Sequence, residues 1–430
     1  MSQRMRHFAI CAGLLAWMIP PIDASGQSGS HTPMVLTHGR IVDVAAGRIL
    51  DGQELLIVEG KIAEMGDSVE RPADANVIDL ENAYVMPGLI DLHSHLLLQP
   101  YDEISWNDQV LKESLELRTI KGSLAARANL EAGFTTLRDL GTEGAGFADV
   151  ALRDAIEQHL IPGPRMFVVT KALVTSGGYG PSGFDPRWNV PKGAQVADGV
   201  DGVRQATREQ IAAGADWIKV YADYRRRSGD ASTPTFSLEE LKAIVDECQS
   251  ANIPVSAHAT TDEGIRRAVI AGVDTIEHGY QASDETLRLM REHDVVLCPT
   301  LAANEAILLY SGWRRGEAEP ERIKTARELM RRALQAKVTI ACGSDVGVFA
   351  HGENLRELQL MHDYGMPIAD VLRSATMVAA DVLQQEKLGE VKTGWLADLV
   401  IVKGNPLDDL QTLAKPSIVI KAGRMMVDRR

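Results

Sequence analysis

Basic charge is scarce in this chain. Its 430 residues carry 45 Lys and Arg against 59 Asp and Glu, a formal net charge of -14 at pH 7. Nucleic acid needs a positive face, so this balance argues against it as a partner. The acidic residues are spread along the chain and serve solubility more simply than they select a cationic substrate. Cysteine is rare: four residues at wide spacings, which is no disulfide scaffold. Cys248, Cys298 and Cys342 read as small buried hydrophobes. Long apolar runs are missing as well. The stretch Phe8 to Ile19 has 12 residues, too short to span a bilayer as a stable helix. Internal repeats and low-complexity segments are absent, and no glycine-rich phosphate fingerprint follows the first strand of the central region.

The short apolar stretch has the form of a processing signal. Arg4 and Arg6 precede it, Pro20 and Pro21 break it, and Ala24-Ser25-Gly26 supplies small residues before Gln27. Residues 1–26 are therefore expected to be a signal peptide, and the mature chain to be exported, periplasmic or secreted, with no membrane contact after processing. An uncleaved anchor is the alternative.

Residues 34–86 alternate apolar and polar positions, with Gly39, Gly52, Gly60 and Gly66 expected at turns. This predicts an antiparallel β unit. The segments 397–402 and 417–427 look alike, so one small β domain is expected from both termini. Between them, strand candidates at 88–95, 134–139, 165–172, 216–222, 254–258, 274–278, 295–298 and 338–342 alternate with amphipathic stretches such as 198–214, 237–251, 260–272 and 321–336. That alternation predicts an α/β fold, a (β/α)8 TIM barrel over 87–385 with a β-sandwich domain from 27–86 and 386–430. A doubly wound open sheet is the runner-up.

The most informative feature is His93-Ser94-His95, after the apolar run Val85 to Leu92. Imidazoles at i and i+2 of a strand point to one side and can reach one metal ion. Later strand candidates end in Lys219, His258, His278 and Asp345. In a barrel these C-terminal ends converge on one mouth. Neutral imidazole and carboxylate suit two divalent ions, Zn²⁺ among them. Lys219 is the odd member, because an ammonium cannot ligate a metal. It is either carboxylated by CO2 or paired with an acidic group.

This order of ligands, with the motifs PGLIDLHSH, GFTTLRDLG, EHG and ADLVIVKGNPLDDL, resembles the metal-dependent amidohydrolase superfamily and its imidazolonepropionase and Xaa-Pro dipeptidase-like branch. The resemblance covers residues 35–427 and is closest to bacterial exported amidohydrolases that hydrolyse the mycotoxin ochratoxin A. It implies that His93, His95 and Asp345 hold the more buried of two divalent metals, Zn²⁺ by the family's pattern, and that His258 and His278 hold the more exposed one. It implies that carboxylated Lys219 bridges them, and that Asp345 relays a proton from the attacking nucleophile to the leaving amine. The implied substrate is a small amide or dipeptide that loses its C-terminal amino acid, ochratoxin A included. The implied assembly is a homo-oligomer, with an octamer as the candidate.

Many relatives carry Gly-Gly-His after the third strand, where this chain reads Thr175-Ser-Gly-Gly-Tyr179. Tyr179 is expected to donate a hydrogen bond to a substrate oxygen. Tyr221 and Arg225 are expected to capture a substrate carboxylate, since a guanidinium matches it in bidentate fashion. His351 lies in an element resembling HGxN and is expected at the mouth or in a structural role. The loops 173–190 and 302–316, with Tyr179, Phe184, Trp188, Leu308, Leu309 and Trp313, are expected to form an apolar wall. A deaminase or imidazolonepropionase-like cyclic amidase is an alternative. Deaminase relatives use one metal and lack the lysine of the fourth strand, so Lys219 argues against that reading. An exported solute-binding protein is a third, but it has no need of this ligand set.

Overall fold

A computed structural model describes residues 32–185, 187–227 and 229–430. The expected signal segment and its cleavage site lie outside the described residues. Met34–Asp43, Arg48–Val58, Lys61–Gly66, Asn76–Asp79 and Tyr84–Pro87 are strands, with buried runs such as Met34 to Thr37 and Leu55 to Ile57 where both faces are covered. They join Leu399–Val402, Ile418–Lys421 and Arg424–Asp428 in one eight-stranded sheet. Tyr84–Pro87 is the seam, parallel to Met34–Asp43 and antiparallel to Leu399–Val402. The two ends of the chain thus complete one sheet around Leu36, Ile41, Ile57, Ile62, Leu399 and Ile418.

The glycines divide differently from expectation. Gly60 sits in a turn with φ of 77°. Gly39 and Gly52 lie inside paired strands where the register slips between Gly39 and Ile41. The extra residues of a bulge need a left-handed position, and Gly52 supplies it with φ of 66°.

In the middle of the chain, Leu89–Ser94, Phe134–Asp139 and Arg165–Val168 pair in parallel. Ile218–Tyr221, Val255–Ala259, Thr275–His278 and Val296–Cys298 form a second parallel run. These strands are almost wholly buried, as parallel strands covered on both faces must be. Helices intervene at the expected places, among them Gly199–Ala212, Leu238–Ser250, Asp262–Ala271 and Glu321–Ala336. Their ends follow local chemistry. Ser237 and Glu240 form a capping box, and Gly272 closes the helix before it with a left-handed backbone.

Backbone bonds connect the two parallel runs at both edges. Asp216 N donates to Val168 O at 2.8 Å on one side. On the other, Ala341 N donates to Leu297 O at 3.0 Å and Leu92 N to Cys342 O at 2.9 Å. The expected strand 338–342 is therefore a single bridge, at Ile340, rather than a ladder, and Val346 makes another beyond it. Asp345 takes a left-handed φ of 63° there, which no continuous strand allows. Residues 31–430 form one compact unit. Val42, Met86 and Val400 of the large sheet belong to the same buried cluster as the parallel strands. Cys248, Cys298 and Cys342 are free and buried, as expected.

Candidate active site

The C-terminal ends of the parallel strands open on one cavity of about 510 Å³. His93, His95, Lys219, His258, His278 and Asp345 all line it, and so do Tyr179, Tyr221 and Arg225. His351 does not. Its Nε2 meets Leu98 O at 2.9 Å and its Nδ1 faces Asn129 at 3.2 Å, so the ring ties the loop at Leu98 to the helix Leu115–Glu131. Phe184, Trp188, Leu308, Leu309 and Trp313 are also absent from the lining. Residues Leu301–Tyr310 are a helix rather than a loop, and it turns Ala303, Asn304 and Ile307 to the cavity instead.

Three histidines have their Nδ1 engaged, which leaves Nε2 for the cavity. His93 Nδ1 lies 2.7 Å from Glu277 Oε2, His95 Nδ1 3.1 Å from Gly141 O, and His278 Nδ1 2.6 Å from Thr300 Oγ1. Partners of this kind fix the tautomer and ring orientation of metal-ligating histidine. Glu277 is wholly buried. Its Oε1 accepts from Arg138 at 2.9 Å, Ser256 at 2.8 Å and Thr275 at 2.6 Å. Burial raises its carboxyl, but the Arg138 guanidinium and His93 overcome this and hold it well below the usual range.

Ligand atoms of His93, His278 and Asp345 lie within 4.8 Å of one another. That donor set fits a divalent metal. Asp345 Oδ1 is 3.6 Å from His93 Nε2 and 3.3 Å from His95 Nε2. Burial and the charge on Lys219 lower His93 to about 4. Burial also takes His258 and His278 well below their ordinary range, so these three rings are held neutral, the form that ligates. For His95, burial favours the neutral ring, yet Asp345 and Glu143 raise it to about 9. Non-glycine residues with left-handed backbones gather here: Glu143, His278, Thr300 and Asp345, with φ of 50–74°. Such conformations concentrate at functional sites.

Lys219 is buried, and among the described residues its Nζ has no carboxylate within 4.0 Å. Burial lowers it to about 8, with Glu277 and Asp345 opposing. The acid-paired alternative for this lysine is therefore not what the structure holds.

A ladder of rings forms one wall. Tyr221 stacks on His258 at 4.6 Å and on Tyr179 at 4.4 Å, and Tyr224 meets Tyr179 edge-on at 5.1 Å. The Tyr179 hydroxyl donates to Glu143 Oε2, so it is engaged within the protein rather than free for a substrate oxygen. Arg225 lies 4.9 Å over the Tyr224 ring. Sequence reasoning missed Glu143, Glu277, Tyr224 and Arg322, of which all but Glu277 line the cavity. For Glu277 a signal existed, an acidic residue inside an apolar strand. Glu143 carries none.

The amidohydrolase family profile matches residues 84–426. Ochratoxinase of Aspergillus niger is 32% identical over 366 residues, covering 78% of this chain and 73% of its own. Its crystal structure superposes with a TM-score of 0.78 at 27% identity, over 92% of this chain and 96% of that one. An Xaa-Pro dipeptidase with bound methionine in the active site gives a TM-score of 0.81 at 31% identity, over 92% of this chain and 99% of that one. The match runs from the seam strand through every cavity-lining strand to the last strand of the large sheet. This chain belongs to the amidohydrolase family and is a hydrolase acting on amide bonds.

Proposed function

We propose that the protein is a binuclear metal-dependent amidase that releases a C-terminal amino acid from N-acyl amino acids or dipeptides. One observation carries this reading. A single cavity gathers four imidazoles, Asp345 and a buried, unpaired lysine beside an arginine with no acidic partner among the described residues. The likeness to an ochratoxinase and an Xaa-Pro dipeptidase supports it.

The site would be the mouth of a (β/α)8 barrel. The backbone bonds that link both edges of the parallel runs support that architecture. A β-sandwich domain from 27–86 and 386–430 would flank a barrel over 87–385. His93, His95, His258, His278, Asp345 and carboxylated Lys219 would hold two divalent ions, and Zn²⁺ suits these donors. Bound there, the ions would supply Lewis-acid polarisation of the scissile carbonyl and a nucleophile at neutral pH.

The protein's own groups do the rest. Asp345 Oδ1 accepts a proton from the attacking water and returns it to the leaving amine nitrogen. Such transfer contributes about 10²–10⁴-fold. Arg225, beside Tyr221, holds the substrate carboxylate. Lys219 loses one proton to become a neutral amine, and its Nζ then bonds to the carbon of CO2 and loses a second; the two protons released replace an ammonium that would repel the ions with an anion. Export on the 1–26 segment and a homo-oligomeric state complete the proposal. Leu117, Ile120 and Leu124, 44%, 62% and 64% exposed on one helix face, support a buried contact between copies.

The test is a panel of N-acyl amino acids, Xaa-Pro dipeptides and ochratoxin A, scored for released amino acid, with metal content measured on the same protein. Turnover with about two metals per chain is expected. No amino acid released from any member sinks the proposal. No phenylalanine from ochratoxin A removes that substrate alone.

A further inference from the structure

We infer that Glu143 is a subsite for a cationic nitrogen on the acyl side of the substrate, so that dipeptides with a free α-ammonium are preferred over neutral N-acyl amino acids. This rests on the amidase reading and adds the substrate class to it.

Glu143 follows the strand Phe134–Asp139, in a loop where its own φ is 50°. The loop is anchored from below. Buried Arg118 donates from Nη1 to Glu143 O at 2.7 Å and from Nη2 to Thr142 O at 3.3 Å. The side chain is only 2% exposed, yet it lines the cavity. Its two oxygens differ. Oε2 accepts from Trp106 Nε1 at 2.8 Å and from the Tyr179 hydroxyl, which fixes the rotamer. Oε1 accepts no hydrogen bond from the described residues, and its nearest ionisable neighbour is His95 Nδ1 at 3.8 Å. That His95 nitrogen is spent on Gly141 O. A carboxylate held in one rotamer, with its second oxygen given no donor by the protein, offers that oxygen to a cationic group in the cavity.

The surroundings say what kind of partner. Tyr101, Tyr179, Tyr221 and Tyr224 share the lining, and the faces of aromatic rings attract cations. No Lys or Arg nitrogen among the described residues lies within 4.0 Å of the carboxylate. At the far end of the Tyr179–Tyr224 pair, Arg225 supplies the opposite charge. A dipeptide zwitterion complements that pair of charges, its carboxylate toward Arg225 and its ammonium toward Glu143, with the amide between. A neutral acyl group leaves Oε1 unpaired, and an anionic one meets it with repulsion.

The metal-loaded enzyme is assayed at pH 6.5 with Ala-Phe, propionyl-Phe and succinyl-Phe, which differ in the charge of the acyl half. The expected order of kcat/KM is Ala-Phe, then propionyl-Phe, then succinyl-Phe, with Ala-Phe ahead of propionyl-Phe by about 10–100-fold. That lead should shrink as pH rises past the α-amino pKa of about 8. In Glu143→Gln the ratio of the first two should fall toward one, whatever the absolute rates. Equal or reversed ranking in the wild type overturns the inference, and so does an unchanged ratio in the variant. If the variant is inactive or misfolded, the wild-type ranking decides alone. If the wild type releases phenylalanine from none of the three, the amidase reading fails on its own account. Calorimetric Kd values for Ala-Phe and propionyl-Phe then decide the subsite by the same ratio.

Discussion

Glu277 shows how far one buried charge reaches. It orients His93 and pairs with Arg138, which also donates to Leu92 O and Thr275 Oγ1 and lies over the Trp217 ring. Glu277→Gln should keep the hydrogen-bond shape but remove the charge. Losing a partner behind a ligating histidine weakens metal binding by about 10–100-fold. Metal titration of the folded variant should show that loss, with turnover recovering at excess metal. Unaltered metal affinity together with lost turnover would contradict the assigned role. Arg225→Ala should raise KM by roughly 10–100-fold, the scale of one charged hydrogen bond, with a smaller change in kcat. A methyl ester of the substrate should behave alike, and equal kcat/KM for ester and free acid would rule out carboxylate capture. At this scale the candidate ligands were legible because metal chemistry admits few residue types. Glu277 carried only the signal of an acid inside an apolar strand, since strand alternation places it on the opposite side from His278. A left-handed φ of 74° turns His278 toward the mouth while Glu277 stays in the interior.

At the scale of an element, the turn after Val255–Ala259 is held by one carboxylate. Asp223 accepts from the backbone and hydroxyls of Thr260 and Thr261 at 2.6–3.0 Å. The helix Asp262–Ala271 packs so closely that a Cβ on Gly264 would come within 2.3 Å of Asp223 Oδ2. Gly264→Ala should therefore displace Asp223 and the turn beyond His258. The expected loss is about 1–3 kcal/mol of stability, the usual range for overpacking, with slower turnover. Thermal unfolding and an amidase assay read both, and a variant unchanged in each would show that the turn tolerates the shift. Helix limits were readable here because Ser237, Thr261 and Gly272 act within one turn of chain. The segment 338–342 was not, because its one bridge, from Ile340 to Leu297, depends on a distant residue.

Across the whole molecule, buried carboxyls should make stability depend on pH. Burial and nearby Asp139 raise Asp149 to about 7, against the bonds from Thr170 N and Val150 N that favour its anion. In the unfolded chain the same group titrates near 3.9. Below that pH both states are protonated and its contribution is fully present. As pH rises toward about 7, the unfolded chain releases the proton first and the contribution is lost; above that it is constant. Asp149→Asn is neutral at every pH, so its stability relative to wild type should improve from pH 4 to pH 8. The change should be a few kcal/mol at most, since each pKa unit is worth about 1.4 kcal/mol. Urea unfolding of both proteins across that range measures it, and a constant difference would remove Asp149 as the cause.

The sequence by itself determined the parts whose physics is local or chemically restrictive. The periodicities of strand and helix, the caps, the α/β class and the six candidate donors that line the cavity all follow from short-range pattern and from the few side chains that suit a divalent metal. Tertiary structure decided what depends on neighbours far along the chain. It spent the Tyr179 hydroxyl on Glu143 and took His351 out of the cavity to pin Leu98 and Asn129. It also put Leu301–Tyr310 into a helix that turns Ile307 rather than Leu308 to the mouth. The reason is physical: a residue's type sets which bonds it can make, but only packing sets which partner is within 3 Å when those bonds form.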